Sequence, residues 1–415
     1  MGITKTWILS PAATHELSMS VSRGIRWLME SDVRVHACSG FLSGGFRASA
    51  ALEAEPSPPV YTEITGYATQ FFLWLHEQTE ERLHLDVALQ SAEFLLRVQC
   101  GPEAPEFQGA FPFGLEGGTG EVVRQYFTFD SGVCASALID AYRHTGERTY
   151  LSAALECGEW LLRVQWKDGS FPAVLSPLAP QEWTKPVEDW YGDRSAIHGK
   201  LATTLLKLWE ESKDDSYWDG AVRLLAWLCR LQDTSGAFQA SERVSDTVTH
   251  AHCYAVEGLL YAAKKVGDAT FVSMSRKGRS WLLGAQNKDG SYHKFYTVRE
   301  NLHEDENRLT VPFYRRLVRP LDTGATAQAC RILLCGHSAS EEELSAVERG
   351  VRFLLSMQSA GNELQPRGGF HARQDKLFLL KHAVDQFYPW TAMFAVQVMM
   401  AALRNPPRLD AKEIF

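Results

Sequence analysis

The sequence of 415 residues predicts an all-α fold, a closed (α/α)6 toroid of six helical hairpins. Three observations carry that prediction. A short helical segment ending in Gln recurs along the chain. A Gly and an aromatic follow each copy after a turn. The two ends of the chain each hold one half of a further unit.

The recurring segments are EFLLRVQ ending at Gln99, EWLLRVQ at Gln165, AWLCRLQ at Gln232, SWLLGAQ at Gln286 and RFLLSMQ at Gln358. An aromatic lies five positions before each Gln: Phe94, Trp160, Trp227, Trp281 and Phe353. The spacings between successive Gln residues are 66, 67, 54 and 72. The pairs that follow are Gly109 with Phe111, Gly169 with Phe171, Gly236 with Phe238, Gly290 with Tyr292 and Gly369 with Phe370. Self-similarity at a fixed period marks a repeat architecture, and this period is long enough for two helices and their loops.

Taken in order, RWLMESD with Gly45-Phe46 forms an outer helix over 16–46, with Asp32 in the place of Gln. Helical hairpins follow over 61–113, 126–171, 191–238, 249–292 and 321–370, and 385–403 is a last inner helix. In the second hairpin, SGVCASALIDAYRHTG is small-residue rich and apolar on most faces, as a buried helix is. GERTYLSAALECGEWLLRVQ is apolar on one face and belongs outside. Pairing the N-terminal outer helix with the C-terminal inner one closes the ring and removes the open ends a solenoid must cap. The whole of 1–415 is thus read as one domain. The repeated Gln is expected to bond the free carbonyls at the end of its own helix, and the Gly to allow a turn with positive φ.

Composition narrows the function. A net charge of −8 disfavours general nucleic-acid binding. No apolar run reaches 18 residues, so no membrane span is expected. The first residues lack the apolar core of a secretory signal. The eight Cys show no zinc-finger spacing, and most fall in apolar helical patterns. A reduced, cytoplasmic protein follows. There is no P-loop, nucleophile elbow or HExxH motif.

Chemistry is expected where the repeats differ. The starts of the inner helices share one rim and carry Glu63, Asp130, Asp193, His250, Asp322 and Asp385, spaced by 67, 63, 57, 72 and 63 residues. Two readings stand for each carboxylate: an N-cap that accepts backbone N–H bonds, or one of the acid–base pair that glycosidic cleavage uses. The preceding loops supply aromatic faces for stacking on sugars: Tyr126, Trp190, Tyr191, Tyr388 and Trp390, with Asp189 among them. Arg315 and Arg319, with Arg194, suit an anionic sugar through bidentate bonds. His198 and His252 are candidate binding groups and His250 a candidate base. Since His250 and His252 are two apart on one helix, they face different ways, and no metal site is expected.

The segment running from Gln165 to Phe171 and that from Gln286 to Tyr292 resemble the QW repeat of triterpene cyclases, which are also toroids, although the DxDD acid motif of those enzymes is absent here. YTEITGYATQFF, FTFDSGVCASALIDAYRHTGERTYL and RLLAWLCRLQDTSGAF look like bacterial (α/α)6 proteins of polysaccharide metabolism, among them unsaturated glucuronyl and rhamnogalacturonyl hydrolases and N-acylglucosamine 2-epimerases. The resemblance implies an enzyme working through ring-facing Asp residues, and Asp130 and Asp193 are the positions of that kind. The expectation is a glycan hydrolase acting by carboxylate acid–base catalysis on an oligosaccharide or polysaccharide that contains uronate sugars, without cofactor or metal. A sugar epimerase or polysaccharide lyase, a terpenoid-cyclase-like or prenyl-binding toroid, and a non-catalytic glycan-binding ring are the alternatives.

Overall fold

A computed structural model describes residues 11–36, 40–50, 57–179, 191–297, 320–336, 339–360, 367–377, 380–383 and 385–415. Twelve α-helices lie within them. α1 spans Pro11–Glu30, α2 Thr62–Thr79, α3 Arg82–Val98, α4 Thr128–Thr145, α5 Arg148–Val164 and α6 Leu201–Ser212. α7 spans Asp215–Leu228, α8 Thr249–Lys265, α9 Ala269–Ala285, α10 Thr323–Leu334, α11 Glu341–Met357 and α12 Pro389–Leu403.

Even-numbered helices form the inner ring and are buried along most of their length. Odd-numbered ones bury a single face. α2 packs on α4, α4 on α6, α6 on α8, α8 on α10, α10 on α12 and α12 on α2, and α1 packs on α12. The ring closes as the sequence predicts. The hairpin between inner and outer helix turns through a residue in the left-handed region, seen at Gly146 and at Glu80. That conformation offers the freed amide to the last turn: Gly146 N–H donates to Tyr142 O and Glu80 N–H to His76 O.

The repeated Gln does something other than expected. Each repeated Gln is extended, with Gln165 at ψ 128, so its side chain leaves the helix it follows. Gln165 Nε2 donates to Gly169 O in the following turn and to Gly220 O of the next outer helix, both at 2.9 Å. The same two-pronged bond recurs from Gln99 to Gly109 and Ala153, from Gln232 to Gly236 and Met274, and from Gln286 to Gly290 and Ala346. Gln358 joins Gly368 to Ser20 of α1 at 3.1 and 2.9 Å, which fastens the closure of the ring. The amide ties one outer helix to the next. The positive φ of the last turn lies at Gly368 and that of the first at Gly44, one residue before the glycines singled out in the sequence. A Cβ at Gly290 would meet the carbonyl of Arg349 well inside van der Waals contact, so the turn sits against the neighbouring helix backbone.

After four of the turns the aromatic amide is received by the inner helix. Phe46 N–H donates to Thr65 Oγ1, Phe111 N–H to Ser131 Oγ, Phe238 N–H to His252 Nδ1 and Tyr292 N–H to Thr326 Oγ1. Short strands, most of two residues, then brace the rim, pairing Tyr61 with Gly114, Tyr126 with Leu175, Val248 with Phe295 and Asp322 with Arg373. Such strands are too short to show a period-two pattern, and the all-α reading did not include them.

At the opposite end, the segment after α12 returns beneath the ring. Phe415 is buried against Phe71 and Phe394. Arg331 lies between the rings of Phe394 and Phe415, 4.1 and 4.7 Å from their centroids, and donates to Phe415 O at 2.5 Å. Lys200, just before α6, lies buried at this end and donates to Glu257 Oε2 at 2.7 Å. No helix among the described residues is long and apolar enough to cross a membrane.

Candidate active site

Register explains which rim residues converge. Thr62, Thr128, Thr249 and Thr323 each open an inner helix and turn the hydroxyl back onto the preceding loop, bonding Pro112 O, Pro172 O, His293 O and His371 O. Counted from that Thr, Glu63 and His250 stand one residue in and Asp130 two. Asp322 stands one before, in the position of Tyr61. The six rim residues read from the sequence are therefore not equivalent positions.

One cluster gathers at the starts of α2 and α4. Asp130 is fully buried. Its Oδ2 accepts from Tyr61 Oη at 2.8 Å, and its Oδ1 accepts a short bond from Tyr191 Oη. Glu63 acts on the same Tyr61 phenol through its charge and is half-buried, which makes it the more open member of the set. Burial first, then the charges of Asp130 and Glu63, pushes the Tyr61 and Tyr191 phenols well above their ordinary range, so both keep their protons. Phe129 packs between Tyr191 and Tyr254, and Tyr254 Oη lies 2.9 Å from Tyr67 Oη.

A second cluster joins α8, α10 and α12. His250 Nδ1 lies 2.6 Å from Gln328 Oε1 and its Nε2 lies 3.3 Å from Asp322 Oδ1. Trp390 meets the His250 ring edge-on at 5.0 Å, and Tyr388 stacks beside Trp390. Asp322 is the one rim carboxylate among the described residues that caps its helix, accepting from Ala325 N–H at 2.9 Å. Burial works to raise its pKa. His250, the Ala325 amide and Lys294 outweigh that and hold it below the usual carboxylate range.

Several sequence-derived candidates take other places. Asp193 is exposed and accepts from Ala173 N–H at 2.7 Å, bracing a loop ahead of the inner helix rather than opening it. Asp385 has 78% of its side chain exposed, pairs with His371 at 3.4 Å and precedes α12 by a full turn. Tyr126 stacks on Phe107 and is buried. Arg194 is bound to Asp168 and Glu242 and lies over the Trp166 ring. His198 and His252 are buried and pushed down to about 3, because burial penalises the charged ring. Both occupy the position that Thr65 fills in its own unit, three residues into the helix from Ser195 and Thr249. His252 is spent receiving Phe238 N–H and bonding Gly278 O at 3.1 Å. Asp189, Trp190, Arg315 and Arg319 lie outside the described residues. Sequence reasoning missed Tyr61, Tyr254 and Gln328. The recurring Thr would have exposed Tyr61 and Asp322 as equivalent rim positions.

Ring and rim together define the class: an (α/α)6 toroid with ionisable groups gathered at the N-terminal ends of its inner helices. No protein-family model and no curated protein matches the sequence. Among solved structures, the chain is similar to a sugar epimerase from a ruminal bacterium, with TM-score 0.71 and 14% identity over 93% of this chain and 98% of that one. It is likewise similar to cellobiose 2-epimerase from Bacillus thermoamylovorans, with TM-score 0.69 and 13% identity over 94% and 100%. The unsaturated glucuronyl hydrolase from Streptococcus agalactiae gives TM-score 0.63 and 13% identity over 96% and 93%. At these identities the likeness establishes the toroid fold, which hosts more than one chemistry.

Proposed function

We propose that this protein is a carbohydrate-processing enzyme that hydrolyses a glycosidic bond in an oligosaccharide bearing acidic sugars, with Glu63 as the carboxyl group that meets the substrate and Asp130 held behind it. The observation that carries this reading is a half-buried carboxyl group, Glu63, beside an enclosed one, Asp130, that two phenols hold. Glycosidic cleavage requires a carboxyl group that can give a proton to the leaving oxygen. The names of the similar glucuronyl hydrolases support acidic sugars as the substrate class. The charged and hydrogen-bonding groups at the mouth favour a sugar over an isoprenoid.

The test is incubation with a panel of neutral and uronate-bearing oligosaccharides and mass analysis of the products. Cleavage with uptake of one water per bond is expected. Glu63→Gln and Asp130→Asn are each expected to lower kcat by about a hundredfold or more. Full activity in both variants defeats the reading.

The His250–Asp322 pair favours a second reading, epimerisation, in which His250 moves a proton at a sugar carbon. It predicts a product of unchanged mass, lost in His250→Ala and kept in Glu63→Gln.

A further inference from the structure

Inner helices follow one another around the ring as α2, α4, α6, α8, α10 and α12, so α2 and α8 stand opposite, three places apart either way. Their side chains meet across it. Tyr67 Oη of α2 donates to Tyr254 Oη of α8 at 2.9 Å, and both rings are buried. Four residues back on each helix, one turn nearer the rim, stand Glu63 and His250. Residues four apart on a helix share a face. The two phenols therefore form a floor, and Glu63 and His250 take opposing places one turn above it. Burial raises the Tyr254 phenol well above its ordinary range, and the charge of Glu63 is the next cause, as that placement requires.

The same register holds elsewhere in the ring. Glu63, Phe129, His250, Gly324 and Trp390 are each the second residue of their helix. Phe129 packs on Tyr254 with ring centroids 4.9 Å apart, and from the other side Trp390 reaches His250 at 5.0 Å. That reach crosses α10, and Gly324 permits it: a Cβ there would lie 2.3 Å from the Trp390 ring. A sugar held between Glu63 and His250 would have an aromatic on either flank and two phenols beneath it.

We infer that Glu63 and His250 are the two ends of a single catalytic site, His250 being the base that faces the acid Glu63 across the sugar. The inference rests on the hydrolytic reading for the reaction it names, but not for the opposition of the two groups. As the glycosidic bond breaks, the leaving oxygen takes the Glu63 proton. Water adds its oxygen to the sugar carbon from the other side and gives one hydrogen to His250. His250 Nδ1 lies against Gln328 Oε1, an acceptor, which leaves Nε2 to take that hydrogen beside Asp322 Oδ1 at 3.3 Å. The hydrogen then passes to solvent and Glu63 regains one, so one water is consumed per bond.

His250→Ala should lower kcat for a cleaved oligosaccharide by about a hundredfold or more, and added imidazole should restore part of it, which a collapsed fold would not allow. Imidazole should do nothing for Glu63→Gln. Attack from the side opposite the acid should invert the anomeric carbon, as seen by NMR of the first product formed. Full kcat in His250→Ala, a loss that imidazole does not mend, or retention at the anomeric carbon overturns the inference and leaves the hydrolytic reading standing. If no oligosaccharide is cleaved, the hydrolytic reading fails and binding decides, by calorimetry with a disaccharide of glucuronate and N-acetylglucosamine. Its affinity should fall about tenfold or more both in Glu63→Gln and in His250→Gln. A fall in one variant only or in neither, or no uptake by the wild type, overturns the opposition of the two groups.

Discussion

Histidine serves this chain in two distinct ways, and pH separates them. His198 and His252 are neutral in the folded state and resist protonation down to about 3. In the unfolded chain each takes a proton as pH falls below about 6.5. Their contribution to stability is therefore complete above that pH and is lost as pH falls towards 3, at up to about 1.4 kcal/mol per unit for each ring. Urea denaturation at pH 7 and pH 5 should show the fall, and His252→Gln should reduce its slope. His252→Ala should cost about 2 kcal/mol besides, because Phe238 N–H loses its acceptor inside the core. The sequence could not separate these rings from His250. All three are histidines near a helix start, and the distinction is one of register against a threonine that bonds the loop behind it. Glu63 and Asp130 were legible as ionisable rim residues. The phenol between them was not, since a tyrosine two residues before a glutamate reads equally well as core.

Among the elements, the turn after each outer helix carries the most testable energetics. Gly290 combines positive φ with a backbone carbonyl where a Cβ would go. Gly290→Ala should lower stability by about 2 kcal/mol or more, read from the shift in thermal unfolding. Gln286→Ala strips the carbonyls of Gly290 and Ala346 of a shared donor and should cost about 2 kcal/mol. The opposite effect is available at Glu80, an exposed residue held at φ 58. Glu80→Gly should stabilise by about 1 kcal/mol, since only the side chain makes that conformation costly. The Gln-to-Gly spacing revealed that these positions are structural. It did not reveal the bonding partner, because the acceptor lies on a helix some 55 to 60 residues away in two of the pairs.

At the scale of the whole molecule, six hairpins and their closure through the ends of the chain were legible from the period and from the unpaired halves at 16–46 and 385–403. The small floor was not, because the few residues after α12 carry no repeat. Phe415→Ala should destabilise by about 3 kcal/mol, leaving a void among Phe71, Phe394 and Arg331. A chain beginning after α1 should bare the inner flank of α12 and bind a hydrophobic dye, with helix content falling by more than α1 alone contains.

Gln358 grips Ser20 as Gln165 grips Gly220, although the first pair spans nearly the full chain and the second only two neighbouring hairpins. Staves in a hoop have no first member. If the junction that closes the ring is fastened like its neighbours, the place where the polymer is interrupted is a matter of genetic bookkeeping and not of mechanics. Circular permutants that open the chain at an inner-to-outer turn such as Gly146, with the present ends bridged, should then rebuild the same ring.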